Sequence, residues 1–112
     1  MDPNRPLDVV VDVESPHVVQ YRLFAHKAGE NDFVPFADGT DQTSGQPHSV
    51  GPLARGSEIG GRFDIAGNPR TAYRIRLSCS QDGSPIPGAS TAVTGTTDET
   101  GVDATRGKVT LS

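Results

Sequence analysis

The chain reads as an all-β protein, an antiparallel Greek-key β-sandwich of seven or eight short strands. Three observations predict it. Residues 70–80, RTAYRIRLSCS, set Tyr73, Ile75, Leu77 and Cys79 on one side and Arg74, Arg76, Ser78 and Ser80 on the other. That period of two belongs to a strand with one dry and one wet face. Turn-forming clusters recur about every 8–12 residues, the spacing of sandwich strands. The composition, with 13 Gly and 9 Pro among 112 residues and 33% hydrophobic side chains, suits many short strands rather than long helices. The size matches immunoglobulin and fibronectin type III domains, and a small β-barrel is the second choice.

Taken in order, residues 1–6 carry two prolines and form a loose lead-in to a single domain spanning 1–112. Leu7, Val9, Val11 and Val13 alternate with Asp8, Val10 and Asp12 as a first strand, which Ser15-Pro16 breaks. Val18 to Lys27 is a second, with Val19, Tyr21, Leu23 and Ala25 inward. Its other side carries Val18 and Phe24, so one end is expected to be covered on both faces. Phe33 to Phe36 is a short strand, and Pro35 places it at an edge or a bulge because proline cannot donate to a ladder. Residues 37–47 contain little that is apolar and are expected to be a long mobile loop. A short strand over Val50 to Leu53 follows, then a stronger one over Glu58 to Ile65. Its Gly60-Gly61 pair predicts a bulge or a close backbone approach.

Arg70 to Ser80 is the central strand, stopped by Gln81-Asp82-Gly83-Ser84-Pro85. Ala89 to Thr94 is a weaker strand, 95–104 a second polar loop, and Lys108 to Ser112 a closing strand with Val109 and Leu111 inward. One echo is visible: Pro16 leads into Tyr21-Arg22-Leu23 as Pro69 leads into Tyr73-Arg74-Ile75. The spacing differs by one residue, which reads as two similar strands rather than a duplicated unit.

Several function classes are excluded. Ten basic and 14 acidic side chains leave a net charge of −4 with no concentrated basic run, which argues against nucleic acid. The longest apolar run is Val9-Val10-Val11, too short to insert in a membrane. The N-terminus lacks a signal-type apolar core, so the chain is expected in the cytoplasm if Met1 is native. A removed signal peptide would make it secreted or periplasmic. The lone Cys79 forms no internal disulfide and reads as a small core residue. His17, His26 and His48 lie far apart and read as solvated or turn residues. No His follows Cys79 closely, which removes a cupredoxin-type copper site. No Gly-x-Ser-x-Gly elbow is present. No catalytic set emerges, no cofactor is expected, and the chain reads as non-enzymatic.

What remains is surface and loops. Asp38 and Asp41 in one polar loop, and Asp98, Glu99 and Asp103 in the other, are calcium candidates, since calcium takes about six to eight oxygen ligands. Short Asp residues also serve turns with no ion present. Arg74 and Arg76 project from the central strand, and Arg62, Arg22 or Arg70 would join them in a basic stripe if neighbouring strands pair. The plainer alternative pairs them with Asp12, Asp64 or Glu58 across strands. Tyr21, Tyr73 and Phe63 are needed for the core, which leaves Phe24, Phe33 and Phe36 for an apolar patch.

The segment DGSPIPGASTAVTGTTDETG, residues 82–101, resembles the signature of Cna-B and carboxypeptidase-regulatory β-sandwich modules, a DG-x-P-[IL]-x-G-A turn followed by TTD-x-x-G. That resemblance implies a non-catalytic adhesive or stalk module. In those modules the signature opens the domain, whereas here 11 residues follow it, so the family is not adopted. The functional expectation is a module acting through protein–protein contacts, as an accessory or structural subunit, with Arg62, Arg74, Arg76, Phe33 and Phe36 as binding residues. The alternative is a domain that binds a small ligand, an anion or calcium through its polar loops.

Overall fold

The computed structural model describes residues 1–15 and 17–112; Pro16, read as the breaker of the first strand, lies outside them. Among the described residues eight strands form: β1 Leu7–Val13, β2 Val18–His26, β3 Val34–Thr40, β4 Pro47–Val50, β5 Glu58–Ala66, β6 Ala72–Gln81, β7 Ser84–Thr96 and β8 Val102–Thr110. They build two antiparallel sheets, ordered β4-β1-β6-β7 and β3-β2-β5-β8, packed face to face as a sandwich. Among the described residues no closed barrel forms. β4 returns to lie beside β1 after the β2–β3 hairpin, and β8 returns beside β5 after the β6–β7 hairpin. Each half is thus a Greek key split over the two sheets. β1 and β2 lie in different sheets, unlike the first two strands of an immunoglobulin domain, so that likeness stops at size.

Alternation explains the core. Val9, Val11, Val19, Leu23, Ile59, Phe63, Ile75, Leu77 and Leu111 are fully sealed, and Tyr21, Tyr73 and Cys79 are buried with them. Each fully buried aliphatic or Phe side chain is worth about 1.5–3 kcal/mol relative to exposure. β6 is interior to its sheet, between β1 and β7.

Polar composition hid several strand ends. Residues 37–40, expected to be loop, continue β3, because Asp38 and Thr40 sit on a wet face while Gly39 lies across from Tyr21. Next in the expected 37–47 loop comes a 3₁₀ turn over Asp41–Thr43, capped by Thr40, whose hydroxyl accepts from the Gln42 amide, and Pro47 already opens β4. The strand expected at Val50 to Leu53 instead runs over β4, Pro47–Val50. The expected 95–104 loop shrinks to a tight connection, since β7 extends to Thr96 and β8 begins at Val102.

Two sequence features acquire definite geometry. In β3, Ala37 faces Leu23 and Pro35 faces Phe24, so Phe36 is a bulged residue; β3 is also an edge strand. The β6–β7 turn has Asp82 at φ 53° and Gly83 at φ 81°, both left-handed, as a two-residue hairpin with right-handed strand twist demands. Ser84 and Pro85 already belong to β7. Residues 86–89 lie across from the single residue Cys79, and this bulge tucks Ile86 and Ala89 into the core.

The echo between β2 and β6 has a structural counterpart. Tyr21 faces Gly39 and Tyr73 faces Gly95, each Gly on the next strand of the hairpin. The Tyr21 hydroxyl meets Thr43 Oγ1 at 2.8 Å and His48 Nε2 at 2.6 Å, while the Tyr73 hydroxyl donates to Asp103 Oδ2. A Cβ at either glycine would run into the facing phenol. Gly39→Ala and Gly95→Ala are each expected to lower stability by about 1–3 kcal/mol, the usual cost of overpacking. Gly51→Ala, whose Cβ would meet nothing within 4 Å, is the matched neutral control in urea unfolding.

Candidate functional site: a basic face on one sheet

Pairing register assembles the site. On the outer face of β3-β2-β5-β8, Asp38 faces Arg22, Arg22 faces Arg62, and Arg62 faces Arg106. Three arginines therefore stand in one row across three neighbouring strands, with strand spacings of about 4.8 Å. Directly opposed like charges destabilise a sheet unless countered. The row is countered at one end, where Arg22 Nε donates to Asp38 Oδ1 at 2.8 Å. Among the described residues, Arg62 and Arg106 have no carboxylate within 4.0 Å, and both are exposed.

The next row down the sheet is apolar at its centre. Phe24 faces Gly60, and Gly60 faces Lys108. Phe33 lies over Gly60, where a Cβ would stand 3.3 Å from its ring, and stacks on His26 with centroids 4.6 Å apart. Gly60 is thus the close approach that the Gly-Gly pair predicted; the register of β5 shows no bulge there. Phe33, Phe24, Gly60, Arg62, Arg106 and Lys108 border an open concavity of about 540 Å³. A second, of about 550 Å³, lies on the other side of Arg62 among Gln20, Arg22, Asp38, Thr40 and Asp64.

Below Phe33, Glu58 holds two side chains: Lys108 Nζ at 2.9 Å and His26 Nδ1 at 3.0 Å. Lys108 first, and His26 second, hold the Glu58 carboxyl below its ordinary range. Glu58, helped by the Glu30 carbonyl, holds the His26 imidazole above its own.

The other expected site residues are dispersed. Arg74 and Arg76 lie on the opposite sheet, where Glu14 takes them at 2.7 Å and 3.9 Å, so Arg62 does not share a stripe with them. The bulge turns Phe36 in against the core, which leaves Phe33 and Phe24 to the surface. Asp38 is tied to Arg22, and Asp41 accepts the Val19 amide. Asp98 accepts the Thr100 and Val102 amides, with Thr100 chiefly holding its carboxyl low. Glu99 lies 4.0 Å from Arg70, and Asp103 takes the Tyr73 hydroxyl. Among the described residues no three His, Cys, Asp or Glu side chains gather as a metal site, so the calcium candidates do not converge.

None of the histidines is a plain solvated residue. His26 and His48 have the partners given above. His17 is buried edge-on to Tyr73, and among the described residues neither of its ring nitrogens has a hydrogen-bond partner. Burial pushes the Cys79 thiol up to about 12, far from a thiolate at neutral pH. Arg106 is the site residue that sequence reasoning missed. The signal was alternation through Ala104, Arg106 and Lys108, obscured because 95–104 looked like a loop.

A β-sandwich with a row of three arginines on the outer face of one sheet is therefore the class that fold and site define. Comparison with protein-family models, with curated proteins and with solved structures finds no match. Among the described residues, no helix is long and apolar enough to cross a membrane.

Two outcomes are expected from these groups. The raised His26 contributes stability that is complete below its ordinary value of 6.5 and fades as pH rises through the folded value. The lowered Glu58 contributes above 4.5 and fades as pH falls through its folded value. Both act together between 4.5 and 6.5. His26→Gln should remove the decline on the alkaline side of that window, measured by urea unfolding across pH. His17→Leu should raise stability by about 1 kcal/mol, since a buried polar group without a partner carries a desolvation cost; a loss of similar size would reveal a partner for the imidazole.

Proposed function

We propose that this protein is a non-catalytic binding module that docks another protein through the outer face of β3-β2-β5-β8. The observation that carries the reading is the pair Arg62 and Arg106, opposed, exposed and, among the described residues, without a carboxylate within 4.0 Å, beside the aromatic floor of Phe24 and Phe33. Cationic forks next to exposed aromatics are the side chains that dominate protein interfaces. A role as an accessory or structural subunit follows from the same reading. The thiol lies in the core, and the tyrosine hydroxyls serve as internal struts, with Tyr73 pushed up to about 12, chiefly by burial. The row of arginines also suits a small anion, which makes phosphate or sulfate the second reading.

Peptide display tests this. Sequences selected on the wild-type chain should bind it and weaken about tenfold or more, about 1.4 kcal/mol, on the variant Phe33→Ser with Arg62→Glu. Equal binding to both chains, or no enrichment, would overturn the reading. Thermal stabilisation by phosphate or sulfate in the absence of any peptide binding would put the small-anion reading in its place.

A further inference from the structure

A sandwich has four sheet edges; this one blunts β3 and β4, and β7 over its first half. β3 contains Pro35 and the Phe36 bulge, β4 is four residues long and begins with Pro47, and β7 contains Pro85, Pro87 and the bulge at 86–89. Proline, bulges and short length are the devices by which sheets block unwanted pairing. β8 has none of the three. It runs nine residues, VDATRGKVT, without proline, and pairs in unbroken register with β5 along its whole length. Among the described residues it has no strand partner on its other side. Strand addition at β3 would therefore meet a blocked edge, while the open one lies across the sheet.

The charges select what β8 can accept. Asp38 closes the arginine row on the β3 side, and the β8 side ends on Arg106 with no further strand beyond it among the described residues. An added strand would put one side chain directly opposite Arg106, about 5 Å away between Cβ atoms. A carboxylate there would do for Arg106 what Asp38 does for Arg22. A second copy of this chain paired antiparallel along the whole of its own β8 would set Arg106 opposite Arg106, which disfavours self-pairing.

Resting on the binding-module reading above, we infer that β8 is the docking edge for an extended acidic segment of a partner protein, added as a fifth strand with an Asp or Glu opposite Arg106. Backbone hydrogen bonds supply the pairing and alternate side chains the selectivity, the arrangement of β-strand addition. A polyanion such as nucleic acid offers the charge but not the edge hydrogen bonds.

The test uses the full chain, isotopically labelled, and a synthetic peptide as long as β8 that alternates Glu with Val. Peptide binding should shift the β8 amide resonances and slow exchange at every second β8 amide. Arg106→Glu should weaken binding about tenfold or more, and a peptide with Lys in place of Glu should bind that variant better than it binds the wild type. Absence of binding, binding indifferent to Arg106→Glu, or heparin fragments competing at the β8 amides without slowing exchange would each overturn the inference. Perturbation confined to Phe24, Phe33 and Arg62 would overturn the edge while leaving the binding-module reading standing.

Discussion

Val9, Val11, Leu23, Ile59, Phe63, Ile75 and Leu77 have no contact with water, and everything on the outside of the molecule follows from their burial. A strand side chain points to the face opposite its neighbour, so sealing Leu23 commits Arg22 and Phe24 to the outside. Sealing Phe63 does the same for Arg62. A slip of one residue in β5 would drive Arg62 and Asp64 into the interior and expel Ile59, Phe63 and Ile65. Burial worth several kcal/mol thus holds in place a row of like charges that repel each other by a fraction of that. The basic face is built by the core, not by its own interactions.

Glycines set how closely the layers fit. Gly39 and Gly95 leave the space that Tyr21 and Tyr73 occupy, and Gly60 leaves room for Phe33. The tyrosines then use their hydroxyls as struts to Thr43 and His48 on one side and to Asp103 on the other. Two Greek keys, each with a tyrosine lying over a glycine, brace opposite margins of the sandwich.

Strands with strict alternation were legible in the sequence to within a residue or two: β1, β2, β5 and β6 each bury every second side chain. The edge strands were harder, because β3, β7 and β8 bury fewer large apolar groups and carry Gly, Thr and Asp, the residues of turns. That is how Arg106 was lost. The grouping of Arg62 with Arg74 and Arg76 failed for a different reason. Alternation tells which face a residue takes but not which sheet its strand joins, and β5 and β6 are consecutive strands in different sheets. His17 was misread because its burial comes from tertiary packing against Tyr73 and Gly67, which no local pattern encodes.

The two ends of the arginine row differ in a way that bears on function. At β3, the chain supplies its own acid, and a proline and a bulge close the edge beside it. At β8, it supplies neither the acid nor the block. Glu58 takes Lys108 and His26 two rows away, where it is out of reach of Arg106. An acid arriving from beyond the edge would relieve the repulsion between Arg62 and Arg106 as Asp38 does for Arg22. Because β8 also presents unpaired backbone at that point, the group that relieves it gains most by arriving on an extended chain.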